Sequence, residues 1–325
     1  MNRLLNKDLN GFSLLYGLTI ASIVLLLGLT LFTVFNESFL NCINRVLYFF
    51  HYIHGEYMPS YDPNREWLGI LIDIGGALIL FVLFMMSIMT MGIFVARPRL
   101  PLLIGSAIPS EFFSLPIQLV TTLLQLYLVY SAYSTTAFAI LVVYTYFVSL
   151  APFVNKELHF GRKSYRTLNT FRQPAEFVKI YRSFQIINMH AMSICGYFII
   201  PQQIIFGHFI VFCNTMLITN FHKMPMTTVI ILSMWSAVST VYWSAVLAFG
   251  AHLYHRGEIM TNSWRRHTWE TQKYRKYMNK FRKSCKPITL HFGRTFVIRR
   301  LSVLKFIKGL TVSTFRALAV SMNTH

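Results

Sequence analysis

Hydrophobic residues in this chain come in long blocks rather than alternating with polar ones. Phe12–Phe35 is uncharged, Trp67–Val95 carries only Asp73, and Ser114–Val154 runs apolar for twice the length one crossing needs. Gln185–Asn220, Met226–Leu253 and Gly293–Val320 follow, the first interrupted by Pro201-Gln-Gln203. Runs of 18 or more apolar residues are the pattern of transmembrane helices. The long block divides most naturally at the polar stretch Ser131–Thr136. The pattern therefore predicts an all-α, polytopic helical membrane protein with seven transmembrane helices in one domain. They cover about 12–35, 67–95, 114–131, 135–154, 187–219, 226–253 and 293–320.

Charge orients these spans. Lysines and arginines gather in Asn155–Phe184 and in the basic segment 255–292, while Asn36–Glu66 and Phe221–Pro225 hold only Arg45, Arg65 and Lys223. The positive-inside rule then places the N-terminus inside, the C-terminus outside and 255–292 in the cytosol. Asn36–Glu66 is expected to be an outer loop, with a glycosylation sequon at Asn36-Glu-Ser38. Composition agrees: 54% of residues are hydrophobic and 13% charged, about half the charge of a soluble domain. A net charge of +19 raises nucleic acid as a partner, but the cations sit in loops between spans and no zinc-finger or RNA-binding motif accompanies them. The expected partners are the lipid bilayer and a small hydrophobic ligand, and the expected location is the plasma membrane.

The C-terminal third resembles the arthropod chemoreceptor superfamily, the insect odorant and gustatory receptors and their relatives. Lys283-Ser-Cys-Lys-Pro-Ile288 resembles that family's lysine–proline segment before the last helix. Val312-Ser-Thr-Phe315 resembles its threonine–aromatic pair, and Tyr181–Asn188 is similar to the segment before its fifth span. Gustatory receptors follow a Thr-Tyr pair, after five residues, with Gln-Phe; here Thr314-Phe315 is followed by Ser321-Met322. The resemblance implies the reversed seven-span topology and a ligand-gated, non-selective cation channel. Four subunits, homomeric or heteromeric and with or without a coreceptor, would join through the cytosolic ends of the late helices. The last helices would line one pore, and each subunit would hold its own ligand in the outer half of its bundle.

Several residues are candidates for these roles. On the last helix Arg294, Lys305, Lys308 and Arg316 share one side. A charged side chain costs about 2.5–3.5 kcal/mol at the bilayer centre, so such a side wants water, a partner or headgroups. Lys305, Lys308, Thr311 and Phe315 are the pore-lining candidates; the alternative is a helix whose lower end lies in the interface against anionic lipid. A cationic lining would repel cations. Gln125, Tyr127, Tyr130 and Tyr133, with Trp235 and Tyr242, offer aromatic walls with few polar groups, which suits a small apolar ligand. Interfacial aromatic belts give the same pattern. Trp264, Trp269 and Tyr274, interleaved with basic residues, are the subunit-contact candidates, against an electrostatic anchor to inner-leaflet lipid.

Other chemistry finds less in the sequence. His252 and His255 stand one helical turn apart without a third ligand, and Cys42, Cys195, Cys213 and Cys285 share no metal-binding spacing, so no cofactor or metal is expected. No Gly-x-Ser-x-Gly, phosphate loop or paired-acid motif suggests an enzyme. The remaining alternatives are a transporter or membrane-embedded enzyme on another helical bundle, and a G-protein-coupled receptor, which would need the N-terminus outside.

Overall fold

The computed structural model describes residues 12–58 and 73–92 with gaps, 108–131 apart from 113, residue 134, and 153–323 apart from 270, 286–287, 289–290 and 293–295. Helical turns run from 12 to 34 and, after a bend at Phe35, continue as α1 (Asn36–Tyr57). Leu115–Ser131 forms α2. Then come α3 (Pro174–Asn220), α4 (Met226–Arg266), α5 (Gln272–Ser284) and α6 (Ser302–Asn323). The expected helical architecture holds among the described residues. The departure is a two-residue antiparallel ladder, β1 (His291–Phe292) against β2 (Phe296–Val297), with His291 opposite Val297. It occupies part of the expected last span, which begins only at Ser302, where the serine hydroxyl accepts from the Arg299 amide at 2.9 Å. Two exposed arginines, Arg299 and Arg300, stand before it.

The local sequence explains the helix ends. Pro174 fills the first turn of α3, where a missing N–H costs nothing. A 3-10 turn at Phe221–Lys223 and extended Pro225 make the hairpin into α4. Thr271 caps α5 by accepting from the Tyr274 amide at 3.3 Å. Helix α3 continues through Pro201, where an interrupted span is expected, with Gln202 buried beside the proline.

Among the described residues two helices are long and apolar enough to cross a membrane, Ile200–Lys223, which takes in the end of α3 and the turn after it, and Met226–Arg266. Helices α3 and α4 have 47 and 41 residues. At 1.5 Å per residue they are about 70 and 60 Å long, twice the bilayer's hydrocarbon core of about 30 Å. Each therefore has an apolar part near the hairpin and a second part beyond it.

Packing follows the same division. Near the hairpin, Leu18, Val129, Phe209, Cys213, Val229, Leu232 and Trp235 form one core. Tyr16 lies 4.0 Å from Phe212 between ring centroids, and Gly17 meets the Trp235 ring so closely that a Cβ would collide with it. At the opposite, basic end a larger core joins Phe49, Ile53 and Tyr57 of α1 to Phe153, Phe171, Phe177, Tyr181, Phe184, Trp264 and Phe281.

One expected loop is a helix. Tyr57 donates to Glu176 at 3.0 Å, and the Leu168 amide donates to the Tyr57 carbonyl at 2.9 Å. Asn36–Tyr57 is thus helical and packs at the same, basic end of the bundle as Phe171–Phe184. Phe12, Tyr16 and Leu18 pack at the hairpin end. The proposed break at Ser131–Thr136 and most of 67–95 and 135–154 lie outside the described residues.

Candidate functional site

Helix α6 packs on α3 and α4 through one face. Leu310 and Thr314 are buried, and Val303 and Phe306 lean on the basic-end core. The opposite face carries Lys305, Lys308, Thr311 and Phe315, all exposed, Phe315 at 67%. These four pore-lining candidates are therefore brought onto the free surface of one helix. Leu301, Leu304 and Ile307 are exposed among them. The Tyr254 hydroxyl of α4 has its pKa raised, first by its hydrogen bond to the Glu258 carboxylate and then by burial and the Glu258 charge, against a smaller opposing pull from Arg299.

The basic end is a compact assembly of rings and buried polar bonds. Trp264 is 2% exposed and donates to the Leu158 carbonyl at 2.7 Å. Its ring lies 4.8 Å from Tyr181, 5.1 Å from Phe177 and 5.9 Å from Phe281. Trp264 is thus a core residue and cannot present its ring to another subunit. Trp269 packs on Phe160 at 5.2 Å and on His267 at 4.6 Å. Of the three contact candidates only Tyr274 is exposed, alongside Tyr277, Lys273, Lys276 and Lys280 on α5. Helix α5 is held down by Met278 and Phe281 and by an Arg182–Ser284 hydrogen bond of 2.8 Å.

Beneath this, Glu157 is buried in the π-helical turn Phe153–Glu157. It accepts from the Thr167 hydroxyl at 2.7 Å and the Thr167 amide at 3.2 Å, and stands 3.6 Å from Arg172. The Arg172 guanidinium donates to Thr167 and lies 3.3 Å from the Tyr165 ring centroid. Gly161, at φ +83°, turns the chain between these partners. No sequence motif announces this knot; a glutamate three residues past an apolar block is the only cue. Burial raises the Tyr181 hydroxyl pKa, and burial with Tyr52 and Glu176 raises that of Tyr57. Burial lowers the pKa values of His159 and His267, reinforced at His159 by Arg162 and Arg256.

The aromatic ligand candidates do not converge. Tyr127 and Tyr130 are 67% and 61% exposed on α2, and Tyr133 lies outside the described residues. Gln125 is half-buried on the same helix. Trp235 is buried against Phe209 at 5.7 Å, and Tyr242 packs on Phe206 at 5.8 Å. Trp235 and Tyr242 share one face of α4 and serve its contact with α3. Asp73 is exposed, and Arg256 donates to His252 at 3.4 Å. No group of three metal-ligating side chains forms among the described residues. Neither a protein-family model nor a curated protein matches the chain.

Proposed function

We propose that the protein is a chemosensory receptor of the plasma membrane, a subunit of a ligand-gated ion channel whose pore is lined by α6. The observation that carries this reading is the one-sided packing of α6. A helix that spends one face on its own bundle and leaves polar Thr311 and two lysines on the other needs water or a neighbour for that free face. The long basic ends of α3 and α4, tied to α1 and α5, supply a rigid cytosolic body through which subunits join. With Trp264 buried, the contact surface on α5 is Tyr274, Tyr277 and their lysines. The resemblance of Lys283–Ile288 and Val312–Phe315 to chemoreceptors supports the same reading.

The chain crosses the membrane six times in this proposal, not seven. Val129 and Phe153 belong to the hairpin-end and basic-end cores, and are separated along the chain by as much as Phe209 and Phe184 on α3. We therefore take Ser114–Val154 as a single crossing, with Phe12 and α6's last turn on the same, outer side. The two most basic segments remain inside under either count.

The test is assembly and current. Purified full-length protein in lipid nanodiscs is expected to have the mass of four chains, and cells expressing it, with candidate partners where needed, to carry ligand-evoked currents altered by Thr311→Trp. A monomer with no current under any pairing sinks the channel reading.

A further inference from the structure

The chain holds two arginine pairs, Arg265-Arg266 and Arg299-Arg300. Each is followed, one residue on, by a hydroxyl and then by an apolar side chain: Arg265-Arg266-His267-Thr268-Trp269 and Arg299-Arg300-Leu301-Ser302-Val303. Two cations just before a hydroxyl and an apolar residue just after it suit a protein kinase with an acidic substrate groove and an apolar pocket beyond. Other hydroxyls among basic residues lack the pattern: Ser164 follows Gly161-Arg162-Lys163, and Ser284 follows Phe281-Arg282-Lys283.

The fold presents both segments at the basic end. Trp264 and Ile298, the residues just before each pair, belong to its core. Helix α4 ends at Arg266, His267 is extended, and Thr268 is exposed along with both arginines. The rings on either side of the threonine, His267 and Trp269, pack on Phe160 at 4.6 and 5.2 Å and anchor the backbone there. Residues 298–301 belong to neither the ladder nor α6, and Arg299, Arg300 and Leu301 are exposed. Ser302 is half-buried in the first turn of α6, its oxygen accepting from the Arg299 amide at 2.9 Å. That bond uses a lone pair and not the hydroxyl proton, and a helix end frays at little cost. Ser284, by contrast, lies in the last turn of α5 with its hydroxyl donating to the Phe281 carbonyl at 2.7 Å.

We propose that Thr268 and Ser302 are phosphorylated by a cytosolic, arginine-reading protein kinase. This deepens the proposed function and rests on its placement of the basic end inside the cell, where ATP is. The side-chain oxygen attacks the γ-phosphorus of ATP. The new O–P bond forms as the bond to the β,γ-bridging oxygen breaks, the hydroxyl proton passes to a carboxylate base of the kinase, and ADP leaves. A phosphate on Ser302 sits at the N-terminal end of α6, where the helix dipole and first-turn amides favour an anion. Its charge of about −1.5 to −2 offsets nearly half of that carried by Arg299, Arg300, Lys305 and Lys308. At the foot of a pore helix this lowers the barrier that those cations raise against a passing cation.

The test incubates the full chain in lipid nanodiscs with the catalytic subunit of a cyclic-AMP-dependent protein kinase and magnesium ATP, and reads phosphate residue by residue by peptide mass spectrometry. Wild type is expected to carry phosphate at Thr268 and Ser302 and not at Ser164 or Ser284. R265Q/R266Q is expected to slow the reaction at Thr268 on the order of tenfold and to leave Ser302 unchanged, and R299Q/R300Q to do the reverse. The untouched residue in each variant reports that the chain is still folded and the kinase active. No phosphate at either residue overturns the proposal, as do rates indifferent to the arginine pairs or label that appears only after heat unfolding. A tag at Asn262 found outside the cell overturns it as well, by separating both residues from ATP. A chain that is phosphorylated as expected but carries no current counts against the channel reading alone.

Discussion

Glu157 shows how a single carboxylate organises the basic end. It is buried, satisfies the Thr167 amide and hydroxyl, and faces Arg172. Removing its charge leaves a largely buried guanidinium without a counter-ion, with Thr167, backbone carbonyls and the Tyr165 ring as its remaining partners. Glu157→Gln is expected to cost on the order of 3 kcal/mol, seen as a lower unfolding temperature in detergent. Trp264→Ala is expected to cost about 3–5 kcal/mol in the same assay, through ring packing and the lost bond to Leu158. Substitution at Tyr274 is expected to leave stability alone. His159 and His267 add a pH dependence. Their folded pKa values lie below the unfolded value of 6.5, so the unfolded chain binds protons more readily. Stability is expected to be full above pH 6.5 and to decline as pH falls toward the lowered values. A melting profile across that range should flatten in the His159→Gln/His267→Gln variant.

Gly257 plays its part at the scale of the helices. A Cβ there would stand 2.9 Å from the Ile288 carbonyl oxygen, so the segment that leads into α6 lies directly on the α4 backbone. Gly257→Val is expected to push that segment away, exposing Cys285 to thiol reagents faster than in wild type, whereas Gly55→Ala, with open space around it, is expected to change nothing. The apolar parts of α3 and α4 were legible in the sequence because their runs are long, but their extensions to Pro174 and Arg266 were not, since hydropathy stops where the helices turn polar. The split of Gly293–Val320 into a ladder and α6 was not read from it either, although Arg299 and Arg300 interrupt the apolar run between Ile298 and Leu301. Trp264 was misjudged for a related reason. Basic neighbours such as Arg265 and Arg266 read as a surface, but in the helix they project away from the indole.

For the whole molecule, the decisive question is which ends share a side. Tags at Met1 and His325 are both expected to be accessible on intact cells, with a tag at Asn262 visible only after permeabilisation. An N-terminal tag hidden while the C-terminal one is exposed would restore an odd number of crossings. Sequence alone does not resolve this, because Ser114–Val154 has the length of two crossings, while Val129 and Phe153 pack in separate cores. The ligand candidates meet the same difficulty: aromatic residues are easy to find in the sequence, but their convergence depends on helix rotation, which leaves Tyr127 exposed and Trp235 buried.

The lengths of α3 and α4 have a mechanical consequence. Both run unbroken from the hairpin to the aromatic body, so they behave as stiff rods rather than as jointed segments. A rod about 60 Å long that rocks by 3° carries its far tip about 3 Å. The edge-to-face contact of Tyr181 with Trp264 and the close approach of Gly257 to Ile288 couple that sweep to the segment leading into α6. Displacements too small to disturb packing near the hairpin would therefore arrive at the other end as a stroke the size of a side chain.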